Sequence, residues 1–259
     1  MTSTTPARRL KVMAASLSLG LGLVTTVVHA SPRNAPPAED AAWPVSETLS
    51  EKQQTIPLIA AAMASGDMPR LNASLERGLD AGLTVSEAKE VLVQLYAYSG
   101  FPRSLNALGE LLKVVETRQA RGIADSLGSE PSKAIPTGEA LIEIGTANQT
   151  MISGAPVRNA VTEFAPVINQ FLQAHLFGDI FERDNLDWQS RELATVGALA
   201  AMPGVEAQLR SHMAASRRVG LTASQLRELV QLLEDGGNPD AARRAREALD
   251  QSLVPASRP

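Results

Sequence analysis

The residues that end one helix and begin the next occur twice in this chain at a fixed offset, and that repetition constrains the fold more than any other feature. Gly82-Leu83-Thr84 and Gly220-Leu221-Thr222 stand 138 residues apart, from 84 to 222. In each, the glycine suits the left-handed position past a helix end. The threonine opens a capping box, Thr84-Val85-Ser86-Glu87 and Thr222-Ala223-Ser224-Gln225, in which two side chains satisfy free backbone N–H groups. Leu71, Leu75 and Leu79 lead into the first junction, and Leu209, Met213 and Ser216 into the second. Beyond the junctions, Val91, Leu92 and Leu95 line one helical face, as do Leu226, Leu229, Val230 and Leu233. Gly100-Phe101-Pro102 then breaks the chain, answered by Gly237-Asn238-Pro239 at an offset of 137, from Pro102 to Pro239. Leu105, Leu108, Leu111, Leu112 and Val115 carry a further helix to about Arg118. Strand signals are nearly absent. The expected fold is therefore all-α, a helical bundle of two tandem copies, residues 50–121 and 161–253, packed as one domain. The intervening 122–160 contains Gly128, Pro131, Pro136, Gly138, Gly145, Gly154 and Pro156, and reads as connector with room for a helix around Gly138 to Gly145.

Ahead of the copies, residues 1–30 have a basic start (Arg8, Arg9, Lys11), an apolar run from Val12 to Val28, and small residues before Ser31. This is the pattern of a cleaved secretory signal, with an uncleaved N-terminal membrane anchor as the alternative; cleavage places the mature protein in the periplasm or outside the cell, with no stable membrane span afterwards. Residues 31–49 are Pro- and Ala-rich without periodicity, a flexible lead-in. Cleavage removes three cations and takes the formal charge from -4 to -7. That acidity, with aromatics at 3%, argues against a nucleic-acid partner. The chain has no cysteine, which excludes disulfides, thiolate nucleophiles and thiol redox chemistry.

Of three histidines, His29 leaves with the signal, so His175 and His212 carry any imidazole chemistry. At the 138 offset, Arg191, Glu192 and His212 stand opposite Gln53, Gln54 and Ser74, so the titratable groups survive in one copy only. Lone charges usually belong to solvated helix faces. Here Glu192 adjoins Leu193, and His212 follows Leu209 by three and precedes Ser216 by four, so both border an apolar face. Antiparallel helices over about 188–202 and 204–218 would bring carboxylate and imidazole together, each altering the other's proton affinity. A functional pair and an inert one are both open at this point. His175, within Phe171-Leu172-Gln173-Ala174-His175-Leu176-Phe177, reads first as a partly buried imidazole satisfied in the core and second as a substrate contact. Tyr98 reads as a packing residue, or as a hydroxyl facing a pocket. Two histidines without His-x-x-x-His or Glu-x-x-His spacing do not suggest a metal site, and no cofactor is expected.

Two blocks resemble the carboxymuconolactone decarboxylase family. One is Leu79-Asp80-Ala81-Gly82-Leu83-Thr84-Val85-Ser86-Glu87 through Tyr96-Ala97-Tyr98-Ser99-Gly100-Phe101-Pro102. The other runs from Phe177-Gly178-Asp179-Ile180-Phe181 through Trp188-Gln189-Ser190-Arg191-Glu192-Leu193 to His212-Met213-Ala214-Ala215 and Gly220-Leu221-Thr222. The resemblance implies a helical fold of the alkylhydroperoxidase D-like kind, assembled as a trimer or hexamer. It also implies one of two activities: decarboxylation of a carboxylated lactone without a metal, or thiol-dependent peroxide reduction. The second needs a Cys-x-x-Cys seven and four residues before the histidine, where this chain has Val205 and Gln208. The first implies His212 for proton transfer, Glu192 for its orientation and Arg191 for a substrate carboxylate. The family's lactone is a cytosolic intermediate, which an exported chain would not meet. A helical oligomer that binds a small molecule without turning it over is the alternative expectation.

Overall fold

Helix boundaries follow the capping residues. The computed structural model describes residues 47–254, and every regular element among them is helical. The expected signal, 1–30, and the lead-in up to residue 46 lie outside the described residues. In the first copy α1 (Glu51–Ser65) starts at a capping box of Ser50 and Gln53, α2 (Met68–Asp80) at Asp67, and α3 (Val85–Gln94) at the Thr84–Glu87 box. A single turn, α4 (Tyr96–Ser99), leads to α5 (Phe101–Ala120). Next come α6 (Glu139–Ser153), α7 (Ala160–Phe164) and α8 (Pro166–Phe171), the last running directly into a wide π-helical segment, Leu172–Ile180. The second copy repeats the first: α9 (Trp188–Ala201), α10 (Glu206–Arg218), α11 (Ala223–Asp235) and α12 (Pro239–Leu253).

The helix caps of the two copies keep a nearly constant offset. The N-caps of α3 and α11, Thr84 and Thr222, stand 138 apart, as do those of α2 and α10, Asp67 and Val205. Buried Ser104, Ala107 and Leu111 of α5 answer buried Ala242, Ala245 and Leu249 of α12 at the same offset. The caps of α1 and α9, Ser50 and Asp187, differ by 137, so copy 2 holds one extra residue before its second helix. Counted from these caps, Glu192 answers Thr55 and not Gln54, and both Glu192 and Thr55 are buried.

α1 and α9 cross at the centre of the bundle, with α2 and α5 against α1, α10 and α12 against α9, and α11 touching both α1 and α12. Small residues make the crossing close: Ala60, Ala61, Ala62 and Ala64 on one helix, Ala194, Ala198 and Ala200 on the other. Gly197 faces Pro57, and a Cβ at 197 would stand 2.5 Å from the Pro57 carbonyl oxygen. Leucines from the surrounding helices complete the main core, each contributing about 1.5–3 kcal/mol by leaving water.

The stretch expected to be mostly connector is more ordered than its glycines imply. Gly145 lies inside α6, where a Cβ would sit 1.8 Å from the carbonyl oxygen of Gln173 in the π-helical segment, and Gly154 is the left-handed C-cap at φ +79°. These glycines mark a close helix crossing and a cap, not loop. The preceding strand of chain straps the start of α3: the Val85 and Ser86 N–H groups donate to the Ser126 and Leu127 carbonyls. The tail of the expected lead-in is likewise held, since the Leu49 N–H donates to the Glu228 carboxylate at 2.8 Å.

Candidate functional site

α9 and α10 follow one another around a short turn, and their facing sides bring Glu192 and His212 together. The first copy supplies no such pair, because Ser74 answers His212 and Thr55, which answers Glu192, donates its hydroxyl to the Lys52 carbonyl of its own helix. His212 Nδ1 lies 2.9 Å from Glu192 Oε2, with the carboxylate fully enclosed and the imidazole 16% exposed. An ionised Glu192 can only accept, so this contact assigns the Nδ1 proton to His212 and leaves Nε2 for the outside. That outside is a hollow of about 410 Å³ into which His212 faces. Its walls come from α10, from the α6 end (Ile152, Ser153, Val157) and from Phe177 of the π-helical segment.

Behind the imidazole stands a buried polar wall. The Tyr98 ring meets the His212 ring edge-on, with centroids 5.5 Å apart. The Tyr98 hydroxyl is buried, and neither it nor Glu192 Oε1 has a hydrogen-bond partner. Burial, then the neighbouring Glu192 charge, pushes the Tyr98 pKa upward, so the phenol keeps its proton. Gln94 of α3 donates to the Arg191 carbonyl and to Thr195 Oγ1, both at 2.9 Å, and ties the first copy to α9.

Arg191 does not face the hollow. It is fully buried, donates to Glu90 at 3.0 Å, to Gln94 Oε1 at 3.0 Å and to the Arg183 carbonyl at 2.8 Å, and lies over the Phe181 ring. Burial pulls its pKa down while Glu90 opposes that. The carboxylate contact implied for Arg191 is thus corrected: its Nη groups are committed inward and its Nε is buried without a partner, because the 3.6-residue period turns position 191 away from position 192 by about a quarter turn or more. His175 is corrected as well. It is exposed, not a satisfied core histidine, and pairs with Asp179 at 2.7 Å on the outer side of the π-helical segment, with Tyr96 beside it. The structure therefore brings Glu192, His212 and Tyr98 together and leaves Arg191 behind them and His175 apart.

Glu90 and Gln94 were missed by sequence reasoning. The signal was a carboxylate directly before the apolar Val91-Leu92 pair, a position where only a satisfied charge survives burial. Arg210 and Arg218, which also line the hollow, carried no signal in the sequence, because basic residues on a solvated helix face are common and only the approach of α6 makes a hollow beside them. Among the described residues, no group of three or more His, Asp or Glu converges as metal ligands.

Comparison with protein families gives a match to the carboxymuconolactone decarboxylase family over residues 37–113 and 166–251. The matched stretches cover more than half of the chain, one in each copy, and the chain belongs to this family. No curated protein matches the sequence.

Proposed function

We propose that this member of the carboxymuconolactone decarboxylase family is an acid–base catalyst of decarboxylase or isomerase type, working on a small organic acid or lactone through its own side chains. The supporting observation is the Glu192–His212 contact of 2.9 Å, with the acid enclosed and the imidazole open to a hollow. Loss of CO2 from a lactone or β-keto acid breaks a C–C bond and leaves its electron pair on the substrate as an enolate. The Nε2 proton of His212 goes to the carbon that lost CO2, and Glu192 holds the Nδ1 proton and stabilises the cation present before transfer. Isomerisation uses the same nitrogen as base and then as acid. Proton transfer from a positioned group accelerates such steps about 10²- to 10⁴-fold. Peroxide reduction through a thiol pair is not open to a chain without cysteine.

Export and self-assembly belong to the same reading. The basic start, apolar run and small residues before Ser31 support export to the periplasm or beyond. Exposed Phe101, Leu105 and Leu112 on one side of α5 support a homo-oligomer. The test of catalysis is CO2 release and proton exchange with a panel of lactones and β-keto acids. His212→Ala and Glu192→Gln are expected to remove turnover at unchanged thermal stability. Turnover that survives both substitutions overturns the assignment, and ligand binding without turnover in the unaltered protein makes it a binding module.

A further inference from the structure

With Arg191 turned inward, the charge preference of the hollow falls to its other lining residues. Its lining contains no carboxylate, yet it contains Arg210 and Arg218, on either side of His212 along α10. They stand eight positions apart, about 12 Å along the helix and about 80° around it, so both cations line one wall of the hollow and His212 borders it. Arg210 donates Nη1 to the Gln251 side-chain carbonyl at 3.1 Å, and Arg218 donates Nη1 to the Ile152 carbonyl at 3.0 Å. Both acceptors are neutral. Each guanidinium has five N–H donors, so most of its capacity remains for an anion.

Arg218 is the better placed of the two, because α6 provides it with a seat. Its guanidinium lies flat on Gly154: a Cβ there would stand 2.6 Å from Nε and 3.1 Å from Nη2. The last turn of α6 presents carbonyls and the negative end of the helix dipole, which holds a cation without consuming its charge. Gly154 is left-handed at φ +79°, so glycine there satisfies the cap and leaves the arginine its resting surface.

We propose that Arg218, seated on Ile152 and Gly154, is the residue that selects anionic ligands in this hollow, with Arg210 as the secondary cation. The ligand class is a small carboxylate, anchored through a group that does not react, because an arginine bound to the departing carboxylate would stabilise the ground state and oppose CO2 loss. The inference rests on the hollow being the ligand site of the proposed function, but its test reads binding alone.

The probe pair is succinate and its neutral dimethyl ester, titrated while the His212 ring signals are followed by NMR. Succinate is expected to shift them and the ester to bind at least tenfold more weakly. Arg218→Gln is expected to weaken succinate at least tenfold, Arg218→Lys to restore part of that loss, and Gly154→Ala, which dislodges the guanidinium, to reproduce it in part. Arg121→Gln, at the C-cap of α5, removes the same charge and is expected to change nothing. Equal binding of acid and ester, no response to succinate, or full affinity in Arg218→Gln overturns the proposal. Succinate selectivity without turnover of any substrate leaves this inference standing and overturns catalysis; turnover with no dependence on Arg218 does the reverse.

Discussion

Where the second copy carries His212, the first carries Ser74; where the second carries Glu192, the first carries Thr55. The remaining wall differs in the same sense. Arg218 is answered at the 138 offset by Asp80, which pairs with buried Arg118 at 2.8 Å in a cluster with Asp125 and Glu76. One backbone unit thus supports a cationic hollow in one copy and an ion-pair cluster around a buried arginine in the other. The outer helices diverge in the opposite direction. Exposed Leu105 and Leu112 of α5, with Leu108 between them, are replaced by Arg243, Arg246 and Asp250 on α12. The Glu192–His212 pair stands in the second copy alone and the exposed leucines of α5 in the first, while the shared core of α1 and α9 is preserved in both. The first copy is not idle at the second copy's site, since Tyr98, Gln94 and Glu90 reach Glu192, His212 and Arg191 from α3 and α4.

The sharpest way to break this contrast is to level the pair. His212→Ala or Glu192→Gln is expected to lower turnover about 10²- to 10⁴-fold. Thr55→Val and Ser74→Ala, at the matching places in copy 1, are expected to leave it unaltered, as steady-state rates will check. Next in size is the wall behind the pair. Glu90→Gln leaves the Arg191 charge buried without its counter-ion and is expected to cost about 3–5 kcal/mol in urea unfolding. A third test transplants surface chemistry between the copies. Leu105→Arg with Leu112→Asp gives α5 the face of α12; if the proposed homo-oligomer forms through α5, the double variant is expected to sediment as a monomer where the unaltered protein does not, with turnover assays showing whether the hollow needs a neighbour.

The smallest effect is a pH dependence. Tyr98 is raised above its ordinary value of 10.0, so the unfolded phenol ionises before the folded one does. The stability it contributes is complete below about pH 10 and declines as pH rises further, by about 1 kcal/mol between pH 9 and 11. Tyr98→Phe is expected to lose that part of the alkaline decline, and to be nearly neutral at pH 8, since the buried hydroxyl it removes has no hydrogen-bond partner. Denaturant titrations at the two pH values, with the unaltered protein beside the variant, isolate the difference.

Helix ends, the doubled unit and the all-α class were legible in the sequence because caps and apolar periods act within a few residues of themselves. Thr84, Thr222, Gly82 and Gly220 needed no distant contact to be read. The glycines of 122–160 misled for the same reason: Gly145 and Gly154 look like loop locally, and only the approach of Gln173 and Arg218 shows why no side chain fits. The presence of Glu192 and His212 in one copy was plain from the chain. Their 2.9 Å contact, the inward turn of Arg191, the outward turn of His175 and the place of Arg218 above Gly154 were decided by packing between helices. The direction of a side chain within a bundle depends on helix rotation and crossing, and these are set by the fit of whole faces against one another rather than by any short run of residues.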